Sequence, residues 1–473
     1  MLAAMPTATN PPPRDEPPIP VRLDACPGTL RLHMADDGAL ARVRVPGGVL
    51  TAAQAEALAD AAVRLGDSAL HLTSRGNVQL RGLAGDCGAA LAGLLDAAGL
   101  LPSYRHERVR NIVASPLSGL DAAGHADVRP WLRALDGLLC ASEAAAELSG
   151  RFLFALDDGR GDVAALGPDV TLIASAGAEA LLRIGAAGGA LRVRGADAPE
   201  AALVAAEVFL DAAAESRSRA WRVGDLPDGA GPLVRETALR LNAAGIACTY
   251  TADASLPEGA AHVPTGAADA PTGAAPPAPG TVDGPDGLRA LSVLAPLGTL
   301  TAAQWRLLTD TARTDGAGEI RLTPWRGVIV PGLPPHRAAA RLRALEAAGL
   351  VTGPDSPWAG VGACIGRPGC AKSLADVRAD AAAALGTGGG LPVYWSGCER
   401  RCGHPQGDWV DVVATGDGYR VSPRGPGVRT VLDGAPDMNA SSHVNASADV
   451  SEPADLAVAV AAARTTTATT ATR

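Results

Sequence analysis

Apolar and polar positions recur along this chain with two different periods. Positions 40–45 and 290–295 alternate or run apolar, as strands do. After each comes a threonine, Thr51 and Thr301, placed where a helix N-cap belongs, its hydroxyl able to accept from free amides two or three residues on. Ala55, Leu58, Ala59, Ala62 and Leu65 then share one helical face that stops at Gly66, and Trp305, Leu308 and Ala312 do the same before Gly316. Further strands are predicted at 69–72 with 78–81 and at 319–322 with 328–330, and second helices at 87–98 and 337–348.

These two runs are copies. Pro46-Gly47-Gly48-Val49-Leu50-Thr51-Ala52-Ala53-Gln54 is echoed by Pro296-Leu297-Gly298-Thr299-Leu300-Thr301-Ala302-Ala303-Gln304. Leu72-Thr73-Ser74-Arg75-Gly76 is echoed by Leu322-Thr323-Pro324-Trp325-Arg326-Gly327, read as carrying one inserted residue. Two matched blocks in the same order imply an internal duplication. The order strand, helix, strand pair, helix is that of a half-ferredoxin-like unit. The expected fold is α+β, a pseudo-twofold duplication of this unit with a larger α/β segment after each copy.

Composition adjusts this picture in three ways. Hydrophobic residues make up 47% and charged ones 19%, so the chain can bury substantial cores, but with 3% aromatics these are built mainly from Leu, Val and Ala. A net charge of −9 without a long basic run argues against nucleic acid as a partner. No apolar stretch approaches the ~18 residues of a membrane span, and the Pro-rich opening does not read as a signal peptide, so the expected location is cytoplasmic, with reduced thiols. Pro, Gly, Ala and Thr content marks residues 1–22 and 461–473 as disordered ends and 251–287 as a linker. Between them lie half-units at 23–102 and 288–352 and larger domains at 103–250 and 353–460.

Cys26, Cys87, Cys140 and Cys248 stand alone and read as small buried hydrophobes. Cys364, Cys370, Cys398 and Cys402 form Cys-x5-Cys and Cys-x3-Cys pairs, which points to one four-thiolate site. The first gap is wide for structural zinc. Gly366 and Gly369 would allow a loop to wrap a [4Fe–4S] cluster, and Cys370 would open a helix at 371–385 whose amino end favours thiolate charge. A cluster, a zinc ion and unrelated thiols all remain open on spacing alone.

With these motifs together, the chain resembles the sirohaem nitrite and sulfite reductase superfamily across nearly all of residues 24–460. The resemblance implies that Cys364, Cys370, Cys398 and Cys402 bind a [4Fe–4S] cluster. It also implies that Arg44, two residues before Pro46-Gly47-Gly48, Arg75 in Thr73-Ser74-Arg75, and Arg110 in Val109-Arg110-Asn111-Ile112 clamp the carboxylates of a tetrapyrrole, for which planar guanidinium forks are suited. Arg151 and Arg326 are further candidates for that pocket. One departure bears on the branch: Leu153 stands in Gly150-Arg151-Phe152-Leu153-Phe154 where sirohaem reductases carry a second lysine. That feature, with Ser396-Gly397-Cys398 and Cys402-Gly403-His404-Pro405, resembles the oxygen-dependent precorrin-3B synthase branch. The implied reaction is hydroxylation of precorrin-3A by dioxygen with lactone formation, in aerobic cobalamin synthesis. It would use the cluster, an external NADH-linked or ferredoxin-like electron donor and possible additional non-haem iron, for which His404 is a weak candidate ligand. The alternatives are a sirohaem-dependent nitrite or sulfite reductase and a non-catalytic iron–sulfur carrier.

Overall fold

The computed structural model describes residues 27–216, 220–252, 276–386, 389–405, 407–425, 448–450 and 453–465. The expectations for 1–22, for Cys26, for most of the linker and for the chain beyond 465 lie outside the described residues.

Each half-unit forms a five-stranded sheet under helices, and each sheet takes one strand from the other copy. In the first, the order is His33–Ala35, Gly38–Val43, Val78–Leu83, Ala69–Leu72 and then Thr299–Thr301 from the second copy. In the second, it is Gly280–Asp283, Arg289–Leu294, Gly327–Leu333, Glu319–Leu322 and then Val49–Thr51 from the first. The exchanged strands pair antiparallel in matching registers, Thr301 with Ala69 and Thr51 with Glu319. One continuous core results, in which Leu50, Leu58 and Leu70 pack with Leu300, Leu308 and Ile320.

The helices Ala52–Leu65 and Ala302–Thr314 follow directly from the exchanged strands. Both begin with the expected threonine in a full capping box. Thr51 Oγ1 accepts from Gln54 N at 3.2 Å while Gln54 Oε1 accepts from Thr51 N at 3.1 Å. Thr301 and Gln304 repeat this at 3.2 and 2.9 Å. The helices pack on each other, and the Trp305 indole N–H donates to the Ala55 carbonyl at 2.7 Å.

The duplication is more regular than the sequence reading. No residue is inserted in the second copy. The Thr73 carbonyl accepts from Gly76 N, and the Thr323 carbonyl accepts from Arg326 N, at 3.2 and 3.1 Å. Leu72 pairs with Val78 as Leu322 pairs with Val328. Arg326 therefore holds the place of Gly76, and both have the left-handed backbone, φ +61° and +66°. The eye slides the alignment by one because it matches glycine to glycine.

The larger domains follow the half-units. A six-stranded mixed sheet, in the order Thr249–Thr251, Ala190–Arg194, Glu179–Ile184, Val170–Ser175, Phe154–Asp157, Ile112–Ala114, is covered by the helices Arg129–Ala141, Ala198–Glu215 and Gly231–Ala243. A five-stranded mixed sheet, from Val361–Ala363 through Val393–Ser396, Trp409–Ala414 and Tyr419–Arg424 to Ala448–Val450, packs with the helices Val377–Ala383 and Pro453–Arg464. The whole is an α+β fold with duplicated ferredoxin-like units.

Three boundaries shift. Thr249–Thr251 and Gly280–Asp283 are strands, so ordered sheet enters both ends of the expected linker. The last described helix runs past 460 to Arg464, whose guanidinium donates to the carbonyls of Leu391 and Ala359 at 3.0 and 3.1 Å. The helix expected at 371–385 is only Val377–Ala383, because Asp376 caps it by accepting from Ala379 N while Ser373 ties 370–375 into turns. No helix among the described residues is long and apolar enough to cross a membrane.

Candidate functional site

The first candidate region gathers around one carbonyl. Arg44 follows the strand Gly38–Val43, and Arg75 sits in the turn after Ala69–Leu72. Both donate to the Gly150 oxygen at 3.3 Å, and Arg44 Nε also donates to the Arg108 carbonyl at 3.1 Å. The next residue, Arg151, is exposed, with its guanidinium 4.1 Å from the centre of the Trp221 ring. Two asparagines fix these segments relative to one another. Asn77 accepts from Val45 N at 2.9 Å and donates to Asn111 at 3.1 Å, and Asn111 donates to the Phe152 carbonyl at 3.0 Å. Neither asparagine was singled out from the sequence. The available signal was that each sits beside a candidate arginine in a polar position that proved buried.

Arg110 is placed apart from this group. Its fork makes a bidentate ion pair with Asp136, both bonds 2.7 Å, and reaches the Leu100 carbonyl. Its donors hold the helix Arg129–Ala141 to the segment after the first half-unit. Leu153 is buried with Val113, Ala155 and Val163, and Trp325 of the second half-unit packs against this cluster. A lysine at 153 would bury its ammonium under an indole, which accounts for leucine there.

The second region lies beside the cysteines. Cys364 is half-buried and its sulfur accepts from Gly397 N at 3.2 Å. Burial pushes its thiol up; the amides of Gly397 and Gly366 offset part of this, and the nearby Cys402 and Cys398 add to it. Cys370 leads into the turn held by Ser373, Cys398 lies beside Lys372, Glu399 and Arg400 along a shallow surface depression, and Cys402 is exposed. The Cys402 carbonyl accepts from the Tyr394 hydroxyl at 2.6 Å. His404 is exposed, stacked on Trp409 with ring centres 5.3 Å apart, and its Nδ1 lies 2.9 Å from the Pro405 carbonyl oxygen.

This arrangement corrects the iron expectations. Among the described residues no three His, Cys, Asp or Glu side chains gather closely enough to hold a metal ion, and the described cysteines are free thiols. Cys398 and Cys402 lie near Cys364 without forming such a group with it, Cys370 leads into a turn, and Cys402 is exposed. The residues present therefore do not fit a [4Fe–4S] cluster or an additional non-haem iron. With them falls the iron–sulfur-dependent hydroxylation of precorrin-3A.

A buried acidic group includes Asp162, which the sequence does not single out. Beyond the strand Phe154–Asp157, Asp157 accepts from the backbone amides of Gly159, Gly161, Val163 and Ala164, and Asp162 accepts from Ser115 Oγ at 2.6 Å. Burial, and then the neighbouring Asp157, pushes the Asp162 carboxyl up to about 7 from 3.8. Between those values the folded state holds a proton that the unfolded chain has released, so this group's contribution to stability falls as pH rises and is fully lost above about 7. Asp162→Asn keeps the acceptor for Ser115 without the charge. Its urea-unfolding free energy should gain on the wild type steadily from pH 4 to pH 7 and hold that gain at pH 8; a difference that does not change with pH would exclude a raised Asp162.

Comparison with known proteins gives consistent matches. Residues 33–98 and 283–348 match the nitrite/sulfite reductase ferredoxin-like half domain. The chain is 27% identical over 414 residues to a precorrin-3B synthase of Sinorhizobium sp., covering 84% of this chain and 82% of that protein. It is 29% identical over 400 residues to a ferredoxin–nitrite reductase of Synechococcus elongatus, covering 78% and 74%. Among solved structures, the Mycobacterium tuberculosis NirA protein superposes with a TM-score of 0.63 at 20% identity, covering 81% of this chain and 74% of that one.

Proposed function

We propose that this chain, homologous to the nitrite/sulfite reductase ferredoxin-like superfamily, is an oxidoreductase that reduces a small oxyanion, nitrite or sulfite, with electrons from an external NADH-linked or ferredoxin-like donor. The observation that carries this reading is the basic lip at Gly150. Arg44 and Arg75 are held on one carbonyl, Arg151 is exposed next to it, and the asparagine bridge fixes the segments that carry them. Guanidinium forks pair with oxyanions through strong charge-assisted bonds. The likeness to a ferredoxin–nitrite reductase over most of both chains supports the reaction class.

The test is consumption of nitrite and of sulfite by the full chain with chemically reduced ferredoxin or methyl viologen. One of the two anions should be consumed. Arg151→Ala should raise the KM for it roughly tenfold, the scale of one lost charge-assisted bond, while kcat changes less. Consumption of neither anion, or an unchanged KM in the variant, would overturn the reading.

A further inference from the structure

Arg326 combines three features that an ordinary surface arginine lacks. It holds the left-handed backbone at a turn position where the first copy has glycine, a conformation in which an L-residue is strained. Its side chain runs through a gap lined by glycines. A Cβ on Gly298 would collide with its Cδ, a Cβ on Gly362 would lie 3.8 Å from Nη1, and one on Gly403 would lie 3.3 Å from Nη2. The only hydrogen bond of its guanidinium among the described residues is to a neutral group, the Gly403 carbonyl at 3.2 Å, with the Tyr394 ring 5.8 Å from the guanidinium.

Arg378 approaches the same place from the helix Val377–Ala383. It donates to the Cys364 carbonyl at 3.2 Å and to the hydroxyl of Thr299, the residue after Gly298. The two arginines thus bracket the same two segments, Gly298–Thr299 and 362–364, and neither forms an ion pair with a carboxylate among the described residues. The nearby acids are occupied. Asp37 forms a bidentate pair with Arg81, and Asp36 accepts from Ala371 N. Asp376 caps its own helix, and Asp380 accepts from Tyr419. Burial, and then the charges of Arg326 and Arg81, lower the Arg378 guanidinium, while the neighbouring Tyr394 and Cys364 act the other way. Two partly buried cations held side by side without an acid are costly unless an anion joins them.

We infer that Arg326 and Arg378 form a binding site for a divalent oxyanion of sulfur or phosphorus, beside Tyr394. The two forks supply planar donors to one small ligand, and the glycines lining the gap keep Cβ atoms out of the space the Arg326 side chain occupies. The inference concerns binding alone, so it stands or falls separately from the reductase reading.

The test is calorimetric titration of the full chain with sodium sulfate, which is redox-inert, against sodium phosphate and, at matched ionic strength, sodium chloride. Sulfate or phosphate should bind and chloride should not compete. Arg326→Gly restores the residue that the first copy carries at this turn, so it should keep the wild-type melting temperature while losing sulfate affinity at least tenfold. Arg378→Met should lose as much, and Arg326→Lys should recover part of the loss. Unchanged sulfate affinity in Arg326→Gly, or chloride competing as well as sulfate, overturns the site. Sulfate binding that depends on both arginines, in a protein that consumes neither nitrite nor sulfite, would leave the site standing and remove the reductase reading.

Discussion

Gly48→Ala is expected to lose more than ~3 kcal/mol of stability, far beyond the usual effect of one added methyl. Gly48 has φ +72°, and a Cβ built there falls well inside contact distance of the Leu322 carbonyl oxygen, with the carbonyl carbon at 2.9 Å. That carbonyl belongs to the strand Glu319–Leu322, which pairs with Val49–Thr51 just after the glycine. Neither side can yield by changing a rotamer, so the strain falls on the strand exchange itself. The second copy provides the control. At Gly298 the colliding atom is Cδ of Arg326, the flexible part of a side chain, so Gly298→Ala should cost markedly less despite a similar φ of +74°. Urea unfolding of both variants measures the contrast. Equal midpoints would mean that the Leu322 carbonyl does not confine Gly48 as described.

Trp305→Ala should cost about 3–5 kcal/mol, the range for removing a large buried aromatic. Trp305 is fully buried, and its N–H satisfies the Ala55 carbonyl at the interface of the two helices. Trp305→Phe separates the two contributions. It keeps most of the packing but leaves that carbonyl without its donor, so it should cost about 1–2 kcal/mol. The same unfolding measurement checks both, and a Phe variant as unstable as the Ala variant would place the energy in the hydrogen bond instead of the ring.

Much of the fold was legible from local chemistry. Thr51 with Gln54 and Thr301 with Gln304 mark helix starts because a capping box is a short-range device. The strands at 69–72 and 319–322 were readable because one face is buried. The exchange was not readable, since Val49–Thr51 and Thr299–Thr301 are three residues each and nothing within three residues names a partner about 250 positions away. Arg326 was found as a residue but misplaced by one, because a left-handed backbone is expected to be glycine. In the candidate site, the structure brings Arg44 and Arg75 onto the carbonyl of Gly150, the residue before Arg151. Arg110 was not separable from them, because its partner Asp136 lies on a helix whose docking only tertiary structure decides. The cysteine spacing was misread for a related reason. Two close pairs imply a metal site only if three or more of their side chains gather, and among the described residues no such group forms.

Trp305 bonds to Ala55, the residue at its own position in the other copy. An element that touches its own counterpart marks an axis of two-fold symmetry, and reciprocal loan of a strand is what a swapped dimer of identical chains does. The fold therefore has the arrangement that joining two such subunits into one chain would give. A true dimer must carry the same residue at both ends of its axis, and two tryptophans would not fit where Trp305 meets Ala55. Fusion lifts that rule, and the copies differ where they meet, at Ala55 and Trp305, and elsewhere, as at Arg75 and Trp325 and at Gly76 and Arg326. A once-symmetric scaffold could in this way acquire two unlike faces without altering its backbone.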